Sequence, residues 1–308
     1  MRYSQPASID EAIAMARADG EHAFIAGGTD LMVRRAQGTL RTPHLIDLGR
    51  IAALRAIAAA PSSVTIGAGV TLASLIAHRE IAERFPALAE AARTIASPLV
   101  RTTATVAGNL LCENRCVYFD QTEFWRNAVG YCLKCDGEIC IATGGTKGCS
   151  SVFISDLAPV LICLGARAEI VDARGTTTAA IETLYSGDGV APRTLAAGAI
   201  ITRIVIPVGA DRTLYYRKLR PRASVDFTNL TLAIRRVDGM IVAAASGVGP
   251  APSVARLPAT SSPDELVSAL LAGTKIIDNL PFKRGYRREM MRAMVMEEAE
   301  GIVFGALA

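Results

Sequence analysis

Residues 116–149, CVYFDQTEFWRNAVGYCLKCDGEICIATGGTKGC, carry five of the seven cysteines of a 308-residue chain, together with its only tryptophan. Four soft thiolates are what an iron–sulfur cluster requires, and four cysteines serve a structural zinc ion equally well. Zinc modules usually bring two CxxC-like pairs, whereas here only Cys132 and Cys135 are so spaced and no histidine lies in the segment. Irregular single cysteines along a loop lean toward a cluster, although composition leaves both metals open. Tyr118, Phe119, Phe124, Trp125 and Tyr131 fall between the first two cysteines of the stretch. They suit an aromatic shell that keeps water from a buried cluster, or equally a small core on which a metal-stapled loop folds. Nucleophilic-cysteine chemistry needs a base, and His22, His44 and His78 are scattered among the N-terminal elements, which disfavours it.

Two further segments suit anion binding. In FIAGGTDLM an apolar run stops at Gly27 and Gly28, and residues without Cβ let consecutive backbone N–H groups face one concavity that a phosphate can fill. Thr29 offers a hydroxyl, and Asp30 a carboxylate that accepts from a ribose hydroxyl or a ring N–H. Taken alone, a Gly-Gly pair after a strand reads as a tight turn, and the pattern is neither GxGxxG nor a P-loop. The second segment, Thr102 to Asn109, combines hydroxyls, small residues and Gly108 without hydrophobic periodicity. Together the two suggest a large phosphorylated ligand.

The elements that must hold these segments follow from capping and periodicity. Ser8 and Glu11 form a capping box for a helix whose apolar side is Ile9, Ala12, Ile13 and Ala16, and Gly20 ends it. A short strand over Ala23 to Ala26 runs into the Gly-Gly pair. HLIDL (44–48) and SVTIGAGV (63–70) read as strands, and Thr71 to Ser97 as helix with a break near Pro86. SDLAPVLICLGARAEIVD predicts a helix capped by Asp156 and then a strand, with Cys163 a buried small hydrophobe. ITRIVIP (201–207) is a strand, and LYYRKL, FTNLTLAIRRVDG and MIVAAASGVG alternate as an antiparallel meander with a turn at Asp238-Gly239. A domain boundary near residue 208 fits. Ser262, Pro263 and Glu265 start another capped helix, and YRREMMRAMVMEEAEGIV makes the last one.

With 51% hydrophobic residues the chain is long enough for a large core and for two or three domains. The net charge of +4 comes from interspersed charges, so no nucleic-acid footprint stands out. The N-terminus lacks the apolar core of a signal peptide and no window approaches a membrane span, so a cytoplasmic location is expected. In that reducing compartment clustered cysteines read first as ligands.

FIAGGTDL, TVAGNL, SDLAPVLICLGA and RKLRPRASVDF, in this order, resemble the FAD-binding medium subunits of the xanthine dehydrogenase and carbon monoxide dehydrogenase family of molybdenum hydroxylases. The resemblance covers nearly the whole chain. It implies an α+β protein: a PCMH-type FAD-binding domain of two α/β subdomains over 1–208, then a C-terminal α+β domain of CO dehydrogenase flavoprotein type over 209–308, with a three-stranded antiparallel sheet and helices. Matching positions place the FAD pyrophosphate on Ala26, Gly27, Gly28, Thr29, Asp30 and Leu31, with a second contact from Thr105, Val106, Ala107, Gly108 and Asn109. Asp156, Ile201 and Lys218 match positions that touch the flavin or its adenosine half. Read without the family, Asp156 is an N-cap, Ile201 a core residue and Lys218 a solvated edge-strand charge.

In that family the AGN and DLAP motifs lie close together, but here Asn109 and Asp156 are separated by an insertion, at about 112–150, that holds six of the seven cysteines. The insertion, with RCVYFDQTEFWR, looks like that of 4-hydroxybenzoyl-CoA reductase beta subunits, where it carries an extra [4Fe-4S] cluster. The resemblance selects Cys116, Cys132, Cys140 and Cys149 as ligands and leaves Cys112 and Cys135 as spectators. It implies an electron-transfer subunit without catalytic residues of its own, in aromatic degradation. Its implied partners are a large molybdopterin subunit and a small subunit with two [2Fe-2S] clusters, assembled as a dimer of heterotrimers. Electrons would run from ferredoxin through [4Fe-4S], FAD and [2Fe-2S] to molybdenum. Alternatives are the medium subunit of a xanthine, aldehyde or N-heterocycle hydroxylase, and a flavin-fold interaction module with a structural zinc loop.

Overall fold

In the computed structural model, residues 2–209 and 214–301 are described. The chain opens with β1 (Arg2–Ser4), α1 (Ile9–Ala18), β2 (His22–Ile25), α2 (Leu31–Ala36) and β3 (His44–Asp47). The three strands form an all-parallel sheet in the order β1-β3-β2. The Glu11 N–H donates to Ser8 Oγ at 3.2 Å, and Ala12, Ile13 and Ala16 of α1 are buried. This places the Gly-Gly loop where an edge strand passes directly into a short helix.

Next come β4 (Ile57–Ala59), β5 (Ser63–Gly67), α3 (Leu72–Ala77), α4 (Arg79–Arg84), α5 (Pro86–Arg93), α6 (Pro98–Arg101), α7 (Val106–Leu110) and α8 (Glu123–Val129). The predicted break at Pro86 is present, but a second one at His78 divides the first half of the expected helix. Leu72 and Leu75 face the core, and an uninterrupted helix would bring Arg79 onto that face. Extended backbone at His78 resets the phase, so that Ile81 is buried instead. After the insertion follow α9 (Leu157–Cys163), β6 (Arg167–Asp172), β7 (Gly175–Ala180) and β8 (Ile200–Pro207). The five-stranded sheet they complete runs β4-β5-β8-β6-β7, antiparallel throughout.

The third sheet contains β9 (Leu214–Leu219), β10 (Leu230–Val237), β11 (Met240–Ser246) and β12 (Ser253–Pro258), and α10 (Pro263–Leu271) and α11 (Arg284–Ala299) pack on it. The Asp238-Gly239 turn is as predicted, with positive φ at both residues. The sheet has four strands, in the order β12-β11-β10-β9, where three were expected. β12 is bracketed by prolines, which hides it in the sequence, and it is an edge strand, the position where proline is tolerated. The α10 capping box forms as read, with Ser262 N donating to Glu265 Oε2 at 2.7 Å. Of the expected last helix, Ile302 and Val303 lie outside the described residues.

One large core runs through the second sheet and α9 and reaches Leu214, Tyr216, Ala233 and Ala244 of the third sheet. All seven residues of α9 are buried. The cysteine insertion has its own small core of Cys116, Phe119 and Cys132. It is a satellite on the main body, with α8 as its only α-helix among the described residues.

Candidate functional site

The two glycine-bearing segments lie against each other. A Cβ on Gly27 would stand 1.9 Å from the Thr103 carbonyl oxygen, so glycine is required by the approach of one loop to the other. Gly28 has φ of +69°, which turns the chain into α2. The second segment is anchored from behind: Val106 N donates to Val70 O and Ala107 N to Ala68 O, at 2.9 and 3.1 Å. Thr105 caps α7 by accepting from Gly108 N at 3.1 Å. Ala26, Thr29, Thr102, Thr103 and Gly108 remain exposed along the rim of the double loop. Two backbone segments thus share one edge on which an extended phosphorylated cofactor can lie, and the exposed small residues leave that backbone approachable.

Asn109 joins this edge to α9, because its Oδ1 accepts from Ser155 Oγ at 2.7 Å and from Leu157 N at 3.2 Å. Asp156 therefore does not cap α9 with its side chain, contrary to the simple reading of the sequence. Its carboxylate instead accepts from Lys218 Nζ at 2.7 Å and from Thr231 Oγ1 at 2.7 Å, and Lys218 Nζ also donates to Thr94 O at 3.0 Å. The side chains are 1% and 5% exposed. Lys218 is thus no solvated charge, even though β9 is an edge strand, since Thr94 at the end of α5 and Asp156 at the start of α9 take its ammonium. Ile201 pairs with Ile170 across β8 and β6, and its side chain belongs to the core. Of the residues expected around the flavin, those of the two loops, Asp156 and Lys218 form a connected set. Ile201 is attached only indirectly: its neighbour Thr202 accepts from Ala68 N, and Ala68 O accepts from Ala107 N.

The four expected ligands, Cys116, Cys132, Cys140 and Cys149, are buried and line one small cavity with Tyr118 and Phe119. No disulfide forms; all seven cysteines are free. Cys135 lies outside the lining although its Sγ is 3.6 Å from that of Cys132. Among the described residues no group of three or more His, Cys, Asp or Glu side chains is arranged so that it could hold a metal ion. Burial pushes the Cys116 thiol up to about 11. Burial also raises Cys140, but the Thr143 hydroxyl and the Ser150, Ala142 and Thr143 backbone outweigh it and leave that thiol below its ordinary value. Backbone bonds position the rim: Cys116 N donates to Asp120 Oδ2 at 2.9 Å, and Cys149 N to Asp188 Oδ1 at 2.8 Å. A Cβ on Gly189 would lie 2.0 Å from Ser151 Oγ and 2.8 Å from Cys149 Sγ, so the 186–193 turn closes over this side.

The aromatic shell is smaller than expected. Phe119 is buried in the lining, whereas Phe124 is 85% and Tyr131 37% exposed. α8 turns Arg126 inward, where it donates to Gln121 O at 2.5 Å, and so carries Phe124 outward. Sequence reasoning missed the charged residues between the two sites. Arg115 pairs with Asp30, Lys134 Nζ lies 2.6 Å from Glu113 Oε1, and Arg34 Nη2 lies 3.0 Å from Glu113 Oε2. Their one sequence signal is the polar ENR triplet directly before Cys116.

A carbon monoxide dehydrogenase chain from Oligotropha carboxidovorans superposes with a TM-score of 0.76 at 22% identity, covering 97% of this chain and 96% of that one. The architecture is therefore that of the carbon monoxide dehydrogenase fold. The sequence model described as the FAD binding domain in molybdopterin dehydrogenase matches residues 1–209, and the chain belongs to that family. The FAD-binding subunit of an aldehyde oxidoreductase from Escherichia coli K12 is 30% identical over 244 residues, 74% of this chain and 75% of that protein. The nicotine 6-hydroxylase medium subunit of Paenarthrobacter nicotinovorans is 24% identical over 313 residues, 96% of each. The protein is thus an FAD-binding oxidoreductase subunit of medium-chain type. No described helix is long and apolar enough to cross a membrane.

Proposed function

We propose that the chain is the FAD and [4Fe-4S] electron-transfer subunit of a cytoplasmic molybdenum-containing reductase of the 4-hydroxybenzoyl-CoA reductase type, which removes a phenolic hydroxyl to give benzoyl-CoA. The observation that carries this reading is the buried cavity lined by Cys116, Cys132, Cys140 and Cys149. Four soft thiolates are what an iron–sulfur cluster requires, and their irregular spacing lacks the two CxxC-like pairs of most zinc modules. In this reading Ala26 to Leu31 and Thr105 to Asn109 hold the FAD pyrophosphate, with Asp156, Ile201 and Lys218 behind them. Residues 1–208 form the FAD-binding domain and 209–308 the C-terminal one. When bound, the cluster and the flavin supply one- and two-electron exchange, which connects a ferredoxin to the [2Fe-2S] and molybdopterin subunits of a dimer of heterotrimers. The chain's own part is to hold both cofactors, to exclude water with Tyr118 and Phe119, and to keep the thiols inside. It has no catalytic residue toward the substrate.

One observation favours a second reading. The similar proteins named above act, by their names, on an aldehyde and on nicotine, which fits a medium subunit of a hydroxylase whose inserted cluster extends the electron path outward. An anaerobic visible spectrum with iron, sulfide, zinc and flavin quantitation separates the possibilities. Flavin bands over a broad shoulder near 400 nm, with about four irons and four sulfides per chain, are expected. Zinc without sulfide would make the insertion a structural module and remove the cluster. Turnover of the assembled complex with reduced ferredoxin and 4-hydroxybenzoyl-CoA, set against an aldehyde or N-heterocycle with an acceptor, distinguishes reductase from hydroxylase.

A further inference from the structure

Glu113 and Arg115 stand between the two cofactor sites and grip both. On the flavin side, Glu113 N donates to Asp30 Oδ2 at 3.3 Å, the Glu113 carboxylate lies 3.0 Å from Arg34 Nη2, and Arg115 pairs with Asp30 Oδ1. On the cysteine side, Glu113 Oε1 lies 2.6 Å from Lys134 Nζ, and Arg115 Nη1 lies 3.5 Å from Asp120 Oδ1. Asp120 Oδ2 accepts from Cys116 N at 2.9 Å. Lys134 Nζ donates to Ser151 Oγ at 3.4 Å, and Ser151 N donates to Cys149 Sγ at 3.4 Å. Two unbroken chains of polar contacts therefore run from the loop that follows β2 to the backbone of Cys116 and the sulfur of Cys149. The side chains of Glu113, Arg115 and Lys134 are 15%, 12% and 6% exposed, so solvent screens these contacts only weakly.

We propose that Glu113 and Arg115 are positioning residues of a two-point clamp through which FAD binding on the glycine loop and closure of the thiol cavity favour each other. The inference rests on the flavin reading of the two glycine-bearing loops. An extended cofactor on the 26–31 loop holds Asp30 and α2 in place. Asp30 and Arg34 then hold Arg115 and Glu113, and these hold Asp120 and Lys134 against the cavity wall. Linkage makes the effect reciprocal, so closed thiols hold the loop as firmly as the loop holds the thiols. Coupling between sites is carried by contiguous networks of hydrogen bonds and ion pairs, and these two chains form such a network.

The test uses the full-length chain stripped of metal, with iodoacetamide as the thiol probe and mass spectrometry reading each cysteine. FAD is expected to slow alkylation of Cys116, Cys132, Cys140 and Cys149 by about 5-fold or more. In Lys134→Met that dependence on FAD should vanish at Cys149 and in Arg115→Gln at Cys116, the ends of the two contact chains, and Lys134→Arg should retain it at Cys149. The ratio with and without FAD is what is read, so a uniform loosening of the fold does not mimic the result. Equal alkylation rates with and without FAD in the native chain, while flavin fluorescence shows FAD bound, overturn the clamp. So does a dependence that survives in both variants. Absence of FAD binding overturns the clamp together with the flavin reading, whereas absence of iron and sulfide in the anaerobically prepared protein sinks only the cluster reading.

Discussion

At the scale of single residues, two buried groups are decisive. Cys132 and Cys135 share the tempting CxxC spacing, yet only Cys132 reaches the cavity, because a short turn over Leu133–Cys135 swings the second sulfur behind the first. Cys132→Ser or Cys149→Ser should therefore lose the iron, and Cys135→Ser should keep it, as measured by iron content and the visible spectrum. Retained iron in the first two, or lost iron in the third, would refute this ligand set. The Asp156–Lys218 pair obeys a different rule: removing one member strands a buried charge, while removing both does not. Asp156→Ala should destabilise the chain by about 3–5 kcal/mol in urea unfolding, and the double change Asp156→Leu with Lys218→Met by clearly less. Equal losses in the single and double variants would show that a stranded charge is not the source of the cost.

Among the elements, the glycine loop after β2 is held by what packs against it. Methyl contact with the Thr103 carbonyl makes Gly27 irreplaceable on steric grounds alone. Gly27→Ala should push the two loops apart at a cost of about 1–3 kcal/mol and weaken FAD binding by roughly tenfold or more, read by fluorescence titration. Unchanged affinity would mean that the cofactor does not bridge the loops. Helix boundaries show how much local signals carry. The Ser262 capping box and the Asp238-Gly239 turn form as read, since each depends on contacts within a few residues, whereas at Ser8 only half the expected box forms, because the Glu11 carboxylate accepts from Ala7 N and not from Ser8 N. The break at His78 and the proline-flanked β12 escaped because burial of Ile81 and pairing with β11 decide them.

Over the whole molecule, the insertion is a satellite core latched to the body by ion pairs. Burial tends to raise the Glu113 carboxyl, but Lys134 and Arg34 outweigh it and leave the group below its ordinary 4.5. A carboxylate lowered in the folded state contributes stability that is present above its unfolded pKa and lost as pH falls through the folded value. Glu113→Gln should therefore cost about 2 kcal/mol near neutral pH, and the difference from the native chain should shrink as pH drops below about 4.5. Urea midpoints measured at a series of pH values check this, and a difference that grows toward acid would reverse the assignment.

The motif order FIAGGTDL, TVAGNL, SDLAPVLICLGA and RKLRPRASVDF was enough to identify the family and the α+β class by resemblance, although the contacts that join the motifs, Gly27 against Thr103, Asn109 with Leu157 and Lys218 with Asp156, are all long-range. The same reading located the inserted thiols, through composition alone. The resemblance had also picked out Cys116, Cys132, Cys140 and Cys149; tertiary structure decided that these four line one cavity, that Asn109 and Ser155 and not Asp156 cap α9, and that a lysine on an edge strand is buried. It also placed Glu113 and Arg115 between two sites that sequence treats as separate. These are matters of which surfaces meet, and residues 30, 115, 134 and 149 become neighbours only when β2, α7 and the insertion are folded onto one another.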